Sequence, residues 1–206
     1  MRRLAALLLL SALSLPAFAD TPIQTVPAAT GYKSKSITVS TGANGIPVDE
    51  FITAIMSCKN YPMTASYMGV KALEECSDLE KRSDGSTVIY QRTGGALGIS
   101  SRQYVLRLYV ASKTDTAVEI KWDLVKHDVS GETYSGPFAS TLNKYADDAV
   151  YTPYNKGGWK LDNVAHTISY YVSTDPGGSL PDWMQTDGAI MAFPKELMKT
   201  RWGIEQ

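Results

Sequence analysis

Residues 168–184, Ile-Ser-Tyr-Tyr-Val-Ser-Thr-Asp-Pro-Gly-Gly-Ser-Leu-Pro-Asp-Trp-Met, constrain the fold more than any other stretch: a strand, a glycine turn and a proline-opened helix follow without a linker. Ile168, Tyr170 and Val172 alternate with smaller or polar residues, as in a strand with one buried face. Asp175-Pro176-Gly177-Gly178 ends that strand. Ser179 suits a helix N-cap and Pro181 a first turn. The expected product is a C-terminal helix leaving the last strand at a sharp corner.

The middle of the chain supplies the sheet. Residues 102–110 place Tyr104, Leu106, Leu108 and Val110 on one face, and residues 118–124 set Val118, Ile120, Trp122 and Leu124 against Glu119, Lys121 and Asp123. Such alternation marks antiparallel strands with one dry and one wet face. Further strands are expected at 32–40, 70–75, 87–91 and 157–161, with a turn at Ser83-Asp84-Gly85 and a hairpin near Asp162-Asn163. Pro47 opens a short helix whose apolar positions Val48, Phe51, Ile52, Ile55 and Met56 follow helical spacing, and residues 61–68 are expected to add a second turn. Residues 128–155 read as a long excursion with partial structure.

Arg2-Arg3, the apolar run Leu4–Leu15 and Ala17-Phe18-Ala19 have the three parts of a secretory signal peptide cleaved after Ala19. Residues 1–19 are therefore expected to be removed, leaving residues 20–31 as an extended leader and a soluble periplasmic or secreted protein. Removal leaves 18 basic residues (20 less Arg2 and Arg3) against 21 acidic ones, a net charge of −3. Basic residues form no runs, which argues against nucleic acid as a partner and against strong electrostatic attachment to a membrane. In an oxidising compartment Cys58 and Cys76 are expected to pair as a disulfide. The remote His127 and His166 give no metal-ligand spacing, so neither a metal nor another cofactor is expected.

A strand, short helices, several antiparallel strands and a terminal helix make an α+β domain. Pro47-Val48-Asp49-Glu50-Phe51, the run from Gly98 to Leu106, Gly158-Trp159 and the run from Asp175 to Trp183 resemble segments of START-type lipid-binding domains, with coverage over about residues 32–203 of a domain expected to span 32–206. The resemblance implies a helix-grip fold, a curved antiparallel sheet gripping a long C-terminal helix, as in the wider START/Bet v 1-like superfamily. It departs from the family pattern where Gln103 replaces an acid and where Tyr61-Pro62-Met63 replaces a tryptophan-aspartate pair. Residues 20–31 are expected to leave no room for the extra N-terminal helix and early strands of full-length members.

The same resemblance implies a lipid or other hydrophobic small molecule held between sheet and helix, for binding or transfer, by a monomer with at most transient membrane contact. The candidate wall is the dry-face set Tyr104, Leu106, Leu108, Ile120, Trp122, Ile168, Tyr170 and Val172. Trp183, Met184, Ile190, Met191 and Leu197 join it from the closing helix, which Pro194 should kink. His166, in phase with Ile168, and Arg102 are candidate head-group contacts. Plain core packing is the alternative for every apolar member. No GxSxG, HExxH or phosphate-loop motif occurs. An enzymatic alternative, cyclase/aromatase-like or hydrolytic, would rest on His166, Tyr104 and Tyr170 converging in the cavity.

Overall fold

The computed structural model describes residues 21–27, 33–43, 45–95, 98–130, 133–177 and 186–205. Residues 1–19, expected as a signal peptide, lie outside these, as do Ser179, Pro181, Trp183 and Met184. Strands β1 (Thr21–Pro27) and β2 (Lys33–Ser40) lead to helix α1 (Val48–Ile55) and a 3-10 turn at Cys58–Asn60. The short β3 (Ser66–Tyr67) and β4 (Val70–Lys71) precede β5 (Glu75–Lys81), β6 (Thr87–Thr93), β7 (Ser101–Lys113) and β8 (Ala117–Leu124). Then come β9 (Asp128–Ser130), β10 (Thr133–Ser135), α2 (Ala139–Asn143), β11 (Ala149–Tyr151), β12 (Tyr154–Asp162), β13 (Thr167–Asp175) and α3 (Asp187–Trp202).

One antiparallel sheet runs in the order β1-β2-β13-β12-β8-β7-β6-β5, and β11 lies parallel to β7. The N-terminal β2 pairs with the C-terminal β13 over eight residues, so the two ends of the domain are zipped together in the sheet. Part of the expected leader is the edge strand β1, so residues 20–31 do hold an early strand, contrary to the expectation. Its prolines, at positions 22 and 27, hide a strand from a periodicity reading, although an edge tolerates them. Residues 70–75, expected as one strand, split into β4 and the start of β5, and residues 61–68 hold β3 in place of a helical turn.

The sheet's concave face carries the main core, which Phe51 and Ile55 of α1 and Met191, Leu197 and Met198 of α3 complete. Its opposite face is dry only at β6 and β7. There the excursion packs Tyr134 and Leu142 over Val88, Tyr90 and Val105. Gln103 points into that second cluster, where its Nε2 donates to the carbonyls of Leu142 and Ala149 and its Oε1 accepts from the Tyr90 hydroxyl. The departure from an acid at position 103 thus places a neutral amide that can donate and accept at once.

Bends come from bulges on β5 and β7 and from Gly157-Gly158 in β12. A Cβ on Gly157 would lie 2.2 Å from the Tyr171 carbonyl oxygen and 2.4 Å from the Trp122 ring, so only glycine lets that indole cross the strand. Helix α3 starts from Thr186, whose hydroxyl accepts from the Ala189 amide, and ends at Gly203 with φ +66°. The Gly203 and Ile204 amides donate to the Lys199 and Met198 carbonyls, a left-handed C-terminal stop. Cys58 and Cys76 form a disulfide that ties the 3-10 turn after α1 to β5.

Candidate ligand-binding cavity

Helix α3 covers the concave face without filling it. A cavity of about 230 Å³ remains beneath its first half, lined from the helix by Ala189, Ile190 and Phe193. The register shows how the sheet builds its floor. On β7, Arg102, Tyr104, Leu106 and Leu108 face inward, opposite Thr93, Gln91, Ile89 and Thr87 of β6 respectively. Leu108 sits beside Trp122 of β8, Trp122 beside Gly157 of β12, and Gly157 beside Val172 of β13.

The floor therefore changes chemistry along the strands. One end holds Thr93, Arg102, Tyr104, Asn155, Thr174 and the neighbouring Thr152, while the deeper rows hold Ile89, Leu106, Leu108, Trp122, Trp159 and Tyr170. Trp122 donates from Nε1 to Asn155 Oδ1 at 2.8 Å, which fixes the indole as a wall. The Trp159 and Tyr170 rings meet edge to face at 4.7 Å, and Tyr61, which donates from its hydroxyl to the Ile55 carbonyl, meets Phe193 of α3 at 5.0 Å. Such aromatic pairs make rigid, mostly apolar surfaces. Burial pushes the Tyr104 hydroxyl up to about 12 against an opposing hydrogen bond from Thr93, and it raises Tyr170 further. Both stay neutral at physiological pH.

Six of the candidate wall residues come together in the lining: Tyr104, Leu106, Leu108, Trp122, Tyr170 and Val172, with Arg102 and Ile190. Ile120, Ile168, Met191 and Leu197 do not reach it; they are fully buried in the core behind it. Alternation assigns a residue to a face, and the depth within that face depends on what the helices already cover. His166 is a correction. It occupies the exposed β12–β13 turn with φ +52°, so its left-handed backbone removes it from the strand alternation and from the cavity. The convergence of His166, Tyr104 and Tyr170 required for acid-base chemistry is therefore not assembled. Among the described residues, no group of three or more His, Cys, Asp or Glu side chains is placed to hold a metal ion.

Sequence reading missed Tyr61, Tyr67, Leu73, Ile89, Thr93 and Thr152 as lining residues. A signal for Ile89 and Thr93 existed in the phase of β6. It was masked because Val88 and Tyr90 on the opposite face are buried too.

A curved antiparallel sheet closed by a C-terminal helix over a cavity is the START-type helix-grip fold. Solved structures match it over most of the chain. Human STARD10 superposes with a TM-score of 0.58 at 16% identity, covering 88% of this chain and 66% of that one. Human StAR-related lipid transfer protein 5 gives 0.58 at 14%, covering 88% and 81%. A STAR-related lipid transfer protein from Xanthomonas axonopodis gives 0.55 at 16%, covering 87% and 98%. The chain thus spans just under two thirds of the STARD10 chain and nearly all of the bacterial one. No family model and no curated protein matches the sequence.

Proposed function

We propose that this protein binds a lipid or another hydrophobic small molecule in the cavity beneath α3 and shields it from water during transfer or sensing. The observation that carries this reading is the unfilled space of about 230 Å³ between a fixed aromatic floor and a helix. Interiors are ordinarily packed to crystal density, so an apolar void bounded by Leu106, Leu108, Trp122 and Tyr170 is a place for a guest. Each methylene buried there contributes about 0.8 kcal/mol before ordering costs. The names of two structural neighbours, both lipid transfer proteins, support the same reading.

In this proposal residues 1–19 direct export and are cleaved, and the mature monomer works in the periplasm or outside the cell, touching membranes only to load or unload. Native mass spectrometry of the protein purified from its own compartment tests the proposal. The expected result is a mass excess from one bound amphiphile, on a polypeptide starting at Asp20. Ala189→Trp, which puts an indole into the cavity, is expected to remove the adduct while preserving the fold. Protein that stays ligand-free and takes up no added alkyl compound would overturn the reading.

A further inference from the structure

The reading above leaves the ligand's polar end open, and the cavity carries an unusual charge. Among the described residues its lining holds two cations, Arg102 and Lys71, and no Asp or Glu. Lys71 is exposed and sits at the rim. Arg102 is only 6% exposed. Its Nε donates to the Pro176 carbonyl at 3.2 Å, one terminal nitrogen to the Gly177 carbonyl at 3.0 Å and the other to the Ser100 carbonyl. These neutral acceptors take three of the five guanidinium N–H groups and leave one on each terminal nitrogen. No carboxylate pairs with Arg102 among the described residues, although nine other ion pairs form across this molecule.

A guanidinium remains protonated wherever it is placed, and a buried charge without a counter-charge is costly. A second group at the same end is also unfinished. Thr152 is 1% exposed and lines the cavity, and its Oγ1 is buried without a hydrogen-bond partner. The register puts both on one face at the same end: β11 runs parallel to β7 with Val150 opposite Arg102 and Tyr151 opposite Gln103, so Thr152 follows opposite Tyr104, one inward position along from Arg102. Stapling the 176–177 corner explains the carbonyl contacts of Arg102. It explains neither the missing anion nor the idle hydroxyl.

We infer that the Arg102–Thr152 end of the cavity receives the anionic head group of an amphiphile, a carboxylate or phosphate monoester, whose tail lies over Leu106, Leu108 and Trp122. The head accepts from the two remaining guanidinium N–H groups and from the Thr152 hydroxyl, and Lys71 attracts it at the rim.

This inference rests on the cavity reading, and isothermal titration with decanoate, decyl phosphate and decan-1-ol at neutral pH tests the two separately. Decanoate or decyl phosphate is expected to bind about tenfold or more tighter than the alcohol, the ratio supplied by a charge-assisted hydrogen bond. Preference for one of the two anions identifies carboxylate or phosphate as the head. Arg102→Met is expected to bring acid and alcohol to within about twofold of each other. Thr152→Val provides a second variant that removes no structural contact, and it is expected to weaken only the anions severalfold without lowering the melting temperature. Equal binding of anions and alcohol by the unmodified protein overturns the inference and leaves the cavity reading standing. Binding of none of the three removes both.

Discussion

At the scale of single residues, the cavity depends on what is missing from β12 as much as on what lines it. Gly157→Ala would drive a methyl group against the Trp122 ring and the Tyr171 carbonyl oxygen, which the backbone cannot vacate without breaking the β12–β13 pairing. The expected cost is about 1–3 kcal/mol, the range for overpacking, read as a lower urea midpoint at unchanged slope. A destabilisation below about 0.5 kcal/mol, the ordinary surface range, would show that Trp122 is free to move. Such residues explain what a sequence reading can and cannot see. Tyr104, Leu106 and Leu108 were legible because strand alternation is a local property of the chain. The role of Gly157 was not, since the indole it accommodates belongs to a strand more than 30 positions earlier. His166 misled for a related reason: parity along a strand carries no information about where the turn begins.

At the scale of elements, two attachments hold the grip closed. The disulfide fixes the turn after α1 to β5 across a separation of 18 residues, and Arg201 of α3 donates to the Asn60 carbonyl of the same turn at 2.7 and 3.0 Å. Chain-entropy arguments give a loop of this length about 3 kcal/mol, so reduction should lower the unfolding free energy by that order, measured by urea titration with and without dithiothreitol. Helix α3 should behave as two halves. Its second half is locked by the buried Leu197 and Met198 and by the Trp202 ring stacked on Phe51 at 5.2 Å, whereas its first half roofs the cavity. Pro194 separates them and removes one helical donor. Hydrogen exchange is therefore expected to be faster at the amides of Met191, Ala192 and Phe193 than at residues 197–201, with the difference shrinking when an amphiphile binds. Uniform protection along α3 would remove the hinged-roof picture. The helix was legible from its position after the last strand, but its start was not: α3 begins at Asp187 behind Thr186, and the expected cap Ser179 and opening Pro181 lie outside the described residues. The β9–β10–α2 excursion was not legible, because its Gly, Ser and Thr content is ordered by packing on Val88 and Tyr90 and not by propensity.

At the scale of the whole molecule, the tyrosine-rich composition becomes a statement about pH. The sequence holds 12 tyrosines, and the fold takes several of them inside: burial raises Tyr61, Tyr90, Tyr170 and Tyr171, and pushes Tyr104 and Tyr151 up to about 12. In the unfolded chain the same groups titrate near 10. Between these values the unfolded state binds fewer protons than the folded one, so stability falls as pH rises; it is fully present below about pH 10 and lost through the folded values. A two-unit shift at full burial corresponds to about 2–3 kcal/mol, and several such groups together rival the 5–15 kcal/mol that holds an ordinary domain. The acid side is gentler. Asp84, held low chiefly by hydrogen bonds from Ser86, lies in an exposed turn, and its contribution disappears only as pH falls through its folded value. The expected titration is thus lopsided: circular dichroism stays flat through mild acid and neutrality, then collapses in a narrow interval above about pH 10.5. Phenolate absorbance should rise in that same interval, since the interior hydroxyls ionise only when the sheet lets go of them. Ionisation of all the tyrosines with the dichroism still intact would mean that water already reaches these rings, Tyr61, Tyr104 and Tyr170 of the cavity wall among them.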